Sequence, residues 1–424
     1  MAAVLFLSMV VFLLLGLPIA FVLCGSSVLA LAVDGRMSLN IVIQRMFSGS
    51  GSFTLLAVPF FVLAGNLMSA GGISRRLVNL CNRFLGHISG GLAMAAVVTC
   101  AFFAAISGSS AATAAAVGAI IIPEMLKNRY DRNFAAATIA SSAELGVIIP
   151  PSIGLIQYGV AAEQSISDLF MAGFLPGIFI CITIMAAAHV LAKKQGFIPN
   201  EKASGAQRAV AFKEAILALL MPVIILGGIY SGFFTPTEAA VVSVFYGLVV
   251  GMFVYKEIKP KDLQRIFYES VLTMATVLFI MSASTVFGWI LAKEQVPQTV
   301  AHVFLSVSGS KYVFLILINI MLLVVGMFCE AGAAMVILAP LLAPIAQTLG
   351  IDLIHFGIIM MTNLAIGMMT PPVGVNLYVV CDSAKVKIEG MMRYLIVYFL
   401  ILVLDLMLIT FIPPLSLTLP HLLK

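Results

Sequence analysis

Gly146-Val-Ile-Ile-Pro-Pro151 and Gly367-Met-Met-Thr-Pro-Pro372 are the same phrase, Gly-x-x-x-Pro-Pro, written 221 residues apart inside long apolar runs. Proline in a helix interior removes an N–H and clashes with the preceding turn, so a Pro-Pro pair breaks a span into two half-helices. The freed ends carry chemistry. A half-helix C-terminus offers unpaired carbonyls suited to a cation, and an N-terminus offers N–H donors suited to an anion.

The same offset of 221 residues places Pro123 on Pro344 and Ser109 on Glu330. Each Pro-Pro phrase therefore follows a second unusual segment. Between Arg83 and Glu124 lie 40 residues without Asp, Glu, Lys or Arg, interrupted by the turn-forming Ser107-Gly-Ser-Ser110. Tyr312 to Ile351 is interrupted in the same way by Glu330 and Gly332, with Pro340 and Pro344 in its second arm. Both read as re-entrant hairpins, whose irregular tips persist at membrane depth only inside protein or a watery cavity. Duplicated hairpins and broken helices are the architecture of secondary transporters. Upstream of the hairpins the two halves show no convincing match.

The composition agrees. The 424 residues include only 23 Lys and Arg and 18 Asp and Glu, 62% are hydrophobic, and the mean hydropathy is +1.14. Soluble domains carry about 25% charged residues, so a water-soluble fold is excluded, and nucleic acid is not the implied partner. The expected fold class is an all-α polytopic membrane protein with inverted repeats. A crossing needs about 20 apolar residues, and that ruler puts single spans near 3–33, 53–70, 133–163, 169–192, 214–231, 237–255, 268–292, 353–382 and 394–412. The first lacks a basic n-region, reads as a retained span rather than a signal peptide, and is expected to bend at Gly16-Leu-Pro18. With each hairpin returning to its own side, 18 Lys and Arg fall on one face and five (Arg36, Arg45, Lys293, Lys311, Lys424) on the other. The rich face is the cytoplasmic one, and the two hairpins enter from opposite sides.

Ser107, Ser109, Ser110 and Thr113 cluster hydroxyls at the first tip, and Thr370 stands beside the second Pro pair. Such hydroxyls often bond back to their own helix; concentration at a break favours ligation. Glu144 and Glu330 are intramembrane acids, hence functional candidates by default: Glu330 as a cation ligand or a bond closing its hairpin, Glu144 in an open role. Asp405, away from the repeat, is expected to contact the scaffold or a partner subunit. Thr235-Pro-Thr-Glu238 is a capping box. His87, His189, His302, His355 and His421 share no motif spacing, Trp289 near Lys293 fits an interfacial anchor, and the six cysteines show no metal or disulfide pattern.

With these residues in place, the chain resembles the large membrane subunit of TRAP transporters, the tripartite ATP-independent periplasmic class. The resemblance covers essentially the whole chain. It rests on Ala57-Val-Pro-Phe-Phe-Val-Leu-Ala-Gly65 with Gly71-Gly-Ile-Ser74, Ser107-Gly-Ser-Ser-Ala-Ala-Thr-Ala-Ala-Ala-Val-Gly118, Ile148-Ile-Pro-Pro-Ser-Ile153 with Tyr158-Gly159, Thr235-Pro-Thr-Glu-Ala-Ala240, and Thr370-Pro-Pro-Val-Gly374.

The resemblance implies a sodium-coupled, elevator-type symporter of acidic solutes in the bacterial inner (cytoplasmic) membrane. A periplasmic substrate-binding protein delivers the solute, and a small membrane subunit, expected as a separate chain, braces the large one. It implies scaffold spans at 1–83, 193–292 and 383–424 and transport units at 84–192 and 293–382. One sodium site falls to Ser107, Ser109, Ser110 and Gly146, the other to Gly326, Gly332, Gly367 and Thr370, the glycines through backbone carbonyls. The solute lies near Ser107, Gly108, Ser109, Pro151, Ser152 and Pro372. Sialic acid and four-carbon dicarboxylates are both family substrates, overall similarity leaning to the first. Glu144 departs from the small or hydroxyl residue expected there.

Other classes fare less well. An ATP-driven pump needs a phosphate-cradling loop, and no Gly-Lys dipeptide occurs. A channel or sodium- or proton-coupled antiporter of related inverted-repeat fold, working without a binding protein, is the nearer alternative. An intramembrane serine protease built on Ser107 and a distant His is the remote one, because Ser-Gly alone has little specificity and leaves the duplicated Pro pairs unexplained.

Overall fold

The computed structural model describes residues 1–195, 201–300 and 310–423, and every regular element among them is helical. His302 and Lys424 lie outside the described residues. Among the described residues nine helices are long and apolar enough to cross a membrane, and Arg132–Ile148 with Ile153–Ala161 passes the same test as one span bent by 41°. The chain is a multi-pass membrane protein.

The N-terminal segment corrects an expectation. Residues 3–33 are not one bent crossing: Ala2–Leu14 and Ile19–Asp34 fold back on each other, so that a Cβ at Gly25 would touch the Phe12 ring at 3.0 Å. Both outer ends lie beside the end of the long helix Pro260–Lys293, through Ala2 N–H donating to Glu294 at 3.0 Å and Lys293 reaching the Met37 sulfur. The reversal follows from Gly16 at φ +74° and from Pro18, which has no N–H to continue a helix.

Ile19–Asp34 packs on Pro260–Lys293, and Pro236–Val249, paired with Gly205–Tyr230, packs on Ala57–Ala70. Each half thus lends a helical pair to a span of the other. The duplication therefore extends upstream of the hairpins in its packing, where the sequence offers no convincing match.

Hairpin 1 has arms Gly91–Ser107 and Ser110–Lys127; hairpin 2 has arms Lys311–Phe328 and Ala331–Thr348. By length alone, three of these arms count as crossings. The long helix Pro260–Lys293 shows otherwise. At its beginning, Glu257 pairs with Arg75 and with Arg76 (3.3 Å) of the amphipathic helix Ile73–Leu85, which leads into hairpin 1. Its middle, Thr273 to Ile280, borders both tips. Its end, Gly288 to Ala292, borders Pro340, Pro344 and Gln347 of hairpin 2. The hairpins therefore enter from opposite ends and meet midway, as inverted repeats.

Both predicted breaks are present. Ile149 leaves the helical region, Pro150-Pro151 is cis, and Ser152 restarts the chain as N-cap of Ile153–Ala161. Leu353–Met368 likewise stops before cis Pro371-Pro372 and resumes at Val375–Ala384. Each restart is tied to its hairpin: Ile153 N–H donates to the Gly108 carbonyl at 3.2 Å, and Gly374 N–H to the Met327 carbonyl at 3.0 Å.

Candidate functional site

A cavity of about 420 Å³ lies where the tips and the first break meet, bordered by Gly108, Ser109, Ile153, Gly154, Glu330 and Gly332, with Thr273 and Thr276 opposite. A larger one, about 970 Å³, lies at the base of hairpin 1 among Arg75, Lys127, Lys213 and Tyr255. No tip or break borders it, so the smaller cavity is the candidate site.

Behind hairpin 1's tip is a cluster of neutral oxygens. The Thr113 hydroxyl donates to the Ser109 carbonyl at 2.8 Å, and the Ser107 hydroxyl lies 3.1 Å from Thr113 Oγ1 and 3.4 Å from that carbonyl. Gly146 is pressed against them: a Cβ there would lie 2.6 Å from the Ser109 carbonyl oxygen and 2.7 Å from Thr113 Oγ1. Only glycine lets the broken helix approach this closely. Ser110 points the other way, to Asn376 Oδ1 at 3.4 Å, and Asn376 Nδ2 donates to Glu144 Oε1 at 2.8 Å. Glu144 is fully buried, and its Oε2 has no hydrogen-bond partner among the described residues. Its carboxylate thus ties the first broken span to the half-helix after the second break.

The second unit also gathers its residues. A Cβ on Gly367 would meet Gly326 Cα at 2.5 Å, so the two glycines form a backbone-to-backbone contact. The Thr370 hydroxyl donates to the Ile366 carbonyl at 2.7 Å, and Thr370 N–H to the Gly367 carbonyl at 2.8 Å. Gly332 stands apart, in the first turn of Ala331–Thr348, where N–H groups rather than carbonyls are free. It lines the cavity instead. Glu330 closes its hairpin: Oε2 accepts from Ala333 N–H at 3.0 Å, the repeat equivalent of Ser109 accepting from Ala112 N–H at 3.4 Å.

Of the residues expected at the solute, Gly108 and Ser109 border the cavity. Ser152 is fully buried, donating to the Val147 carbonyl at 2.5 Å and capping Leu155 N–H at 3.2 Å, so it holds the break in shape. Ser107, Pro151 and Pro372 are absent from the lining, and the Ser107 hydroxyl meets Thr113 and a carbonyl rather than an imidazole. Gln157, Thr273 and Thr276 do line the cavity. No motif marked them, since Gln157 lies one turn beyond the break and the threonines belong to an ordinary span.

Elsewhere, the Thr235–Glu238 capping box is formed, and Asp405 accepts from the Thr183 hydroxyl inside the bundle. His355 is buried rather than interfacial, its Nε2 3.3 Å from the Thr410 carbonyl. The Trp289 ring lies under Arg45 and Lys293, and the six cysteines are free. Leu55, Met281 and Val336, each almost fully buried, form an apolar cluster between the central cavity and a second one of about 440 Å³ near Ser284, Gly288 and Pro340.

Two inverted hairpins, each tied to a broken helix, with both tips at one cavity, define a membrane transporter rather than an enzyme. Residues 6–415 match the family described as Tripartite ATP-independent periplasmic transporter, DctM component. The chain belongs to that family. It is 43% identical over 411 residues to the isethionate TRAP transporter permease protein DctMQ of Oleidesulfovibrio alaskensis, covering 97% of this chain and 65% of that one. It is 40% identical over 407 residues to the sialic acid TRAP transporter large permease protein SiaM of Vibrio cholerae, covering 96% and 95%. It is equally identical, 40% over 395 residues, to the C4-dicarboxylate TRAP transporter large permease protein DctM of Pseudomonas aeruginosa, covering 93% and 92%. Among solved structures, the YdaH transporter of Alcanivorax borkumensis superposes with a TM-score of 0.63 at 16% identity over 87% of this chain and 86% of that one, a likeness of fold alone.

Proposed function

We propose that this chain is the large permease of a sodium-coupled symporter in the bacterial inner membrane, taking up an acidic organic solute delivered by a periplasmic binding protein and working beside a small membrane subunit. The observation that carries the reading is the convergence of two hairpin tips and the first break on one cavity, with a cluster of oxygens or glycines behind each tip. At the first cluster the donors are the Ser107 and Thr113 hydroxyls and the Ser109 carbonyl, within 3.4 Å of one another, with Gly146 alongside and Ser110 next in sequence. Neutral oxygens of this kind suit a hard cation such as sodium. The second cluster would use the backbone carbonyls of Gly326 and Gly367 with the Thr370 hydroxyl. Gly332 contributes to the solute side. Glu144 is linked to the same tip through Asn376 and Ser110.

Translocation is by an elevator motion: the hairpins and broken helices (84–192 and 293–382) carry solute and sodium past a scaffold formed by 1–83, 193–292 and 383–424. The apolar Leu55–Met281–Val336 cluster lies on the side of the cavity facing the Lys293 end of the long helix, the periplasmic end by charge distribution. It supports a state closed to the periplasm. The candidate solutes are a sialic acid or a C4-dicarboxylate, the substrates named for two permeases 40% identical to this chain.

The test is reconstitution of the chain with its small subunit and binding protein in proteoliposomes, with solute uptake followed under an inward sodium gradient and without one. Uptake indifferent to sodium would remove the coupling, and uptake without the binding protein would favour the antiporter alternative. Thr370→Ala is expected to raise the sodium concentration for half-maximal uptake about tenfold, the order of one lost bond to a charged species, with insertion intact. Unchanged sodium affinity rules out that assignment.

A further inference from the structure

Three helix N-termini converge on the central cavity. Gly108 and Ser109 precede Ser110–Lys127, Ile153 and Gly154 open Ile153–Ala161, and Gly332 and Ala333 lie in the first turn of Ala331–Thr348. Each presents about half a positive charge, with one N–H per terminus taken by its own cap, at Ala112, Leu155 and Ala333. Together they favour an anionic group over a cation at this wall.

The side chains on the same wall ask for something else. Among the described residues none of those bordering the cavity is Lys, Arg or His, and the single charged one is Glu330. One of its oxygens caps Ala333, and the side chain is otherwise exposed. Gln157 borders the cavity although only 2% of it is exposed, and its Oε1 is buried without a hydrogen-bond partner among the described residues. Carboxylate and carboxamide flank the same glycine: a Cβ at Gly332 would lie 2.1 Å from Gln157 Oε1 and 3.0 Å from Glu330 Oε2. An unpaired buried amide is costly until a ligand satisfies it, and a site built this way rejects analogues lacking the matching group. A carboxylate on the solute would instead meet the like charge of Glu330.

We propose that Gln157 and Glu330 are specificity-determining residues that accept hydrogen bonds from solute hydroxyls while a single carboxylate rests on the helix N-termini, so the site selects a hydroxylated monoacid over a dicarboxylate. This rests on the central cavity being the solute site of the transport reading above.

The full chain with its small subunit, in detergent and sodium, is titrated with gluconate, N-acetylneuraminate or succinate and followed by thermal melting. Both hydroxy acids are expected to stabilise the wild type at concentrations at least about tenfold below those of succinate, as one hydrogen bond to a charged group predicts. Glu330→Gln keeps an oxygen to cap Ala333 and is expected to bring succinate within about threefold of the hydroxy acids. Gln157→Ala is expected to weaken the hydroxy acids about tenfold and leave succinate unchanged. Melting without solute checks the fold of each variant, and Gln157→Asn replaces Gln157→Ala if that fold is lost.

Succinate binding as tightly as the hydroxy acids in the wild type, no stabilisation by either hydroxy acid, or a preference that survives both substitutions would each overturn the proposal. The two readings fail separately. Sodium-dependent binding of succinate alone refutes this selectivity and leaves coupling standing; a hydroxy-acid preference indifferent to sodium does the reverse.

Discussion

In the first hairpin unit the tip is capped by a serine hydroxyl, backed by Ser107 and Thr113, and joined through Ser110 and Asn376 to a buried carboxylate. In the second, the same cap position holds Glu330, Ala331 stands where the first has Ser110, Ala365 stands where it has Glu144, and the contact behind the tip is glycine on glycine. The backbone device is common to both: hairpin, cis Pro-Pro break, and a restart bonded to a hairpin carbonyl. The side chains differ because the cavity is asymmetric. Geometry had to be kept twice to build two broken helices, whereas the chemistry needed on each side was free to diverge.

The largest effects should come from the shared geometry. Gly146→Ala and Gly367→Ala each drive a Cβ to within 2.6 Å and 2.5 Å of backbone atoms. Overpacking of this kind costs about 1–3 kcal/mol or more, and uptake in proteoliposomes should fall at least about tenfold in both. Normal uptake by either variant would show that the close approach is dispensable in that unit.

A smaller effect should separate the units. Glu144→Ala leaves the Asn376 amide without its buried acceptor, at about 1–3 kcal/mol. A double-mutant cycle with Asn376→Ala should give a coupling of about 0.5–3 kcal/mol in thermal melting. Ala365, the counterpart of Glu144, has no such partner to lose, so Ala365→Ser should change melting little. Additive single-variant losses at Glu144 and Asn376 would dissolve the proposed tie between the repeats.

The smallest concerns the caps. Ser109→Ala and Glu330→Ala each remove one N-cap, worth about 0.5–2 kcal/mol, and Glu330→Ser should recover most of the loss at its position. Failure of serine to restore melting temperature would mean that Glu330 does more for the fold than cap its helix.

Much of this was legible beforehand because proline acts locally. Pro150-Pro151 and Pro371-Pro372 interrupt any helix that contains them, and the charge-poor runs around Ser107 and Glu330 have few alternatives to a re-entrant hairpin. The N-terminal reversal was not legible. Gly16 and Pro18 forecast a bend, but whether a bend becomes a full turn depends on what the second arm packs against, here the long helix Pro260–Lys293.

By itself, then, the sequence determined that the chain lives in a membrane, which ends of its helices are broken, and that two halves are related by inversion. These follow from hydropathy, backbone chemistry and charge distribution, each readable one segment at a time. Only the tertiary structure decided that Gln157, Thr273 and Thr276 face the cavity, that Ser152 holds a break rather than facing it, that Glu330 caps a helix, and that Glu144 bonds across the repeats. Those roles depend on which faces of distant helices are brought together, and each contact joins a residue to neighbours its own segment cannot specify.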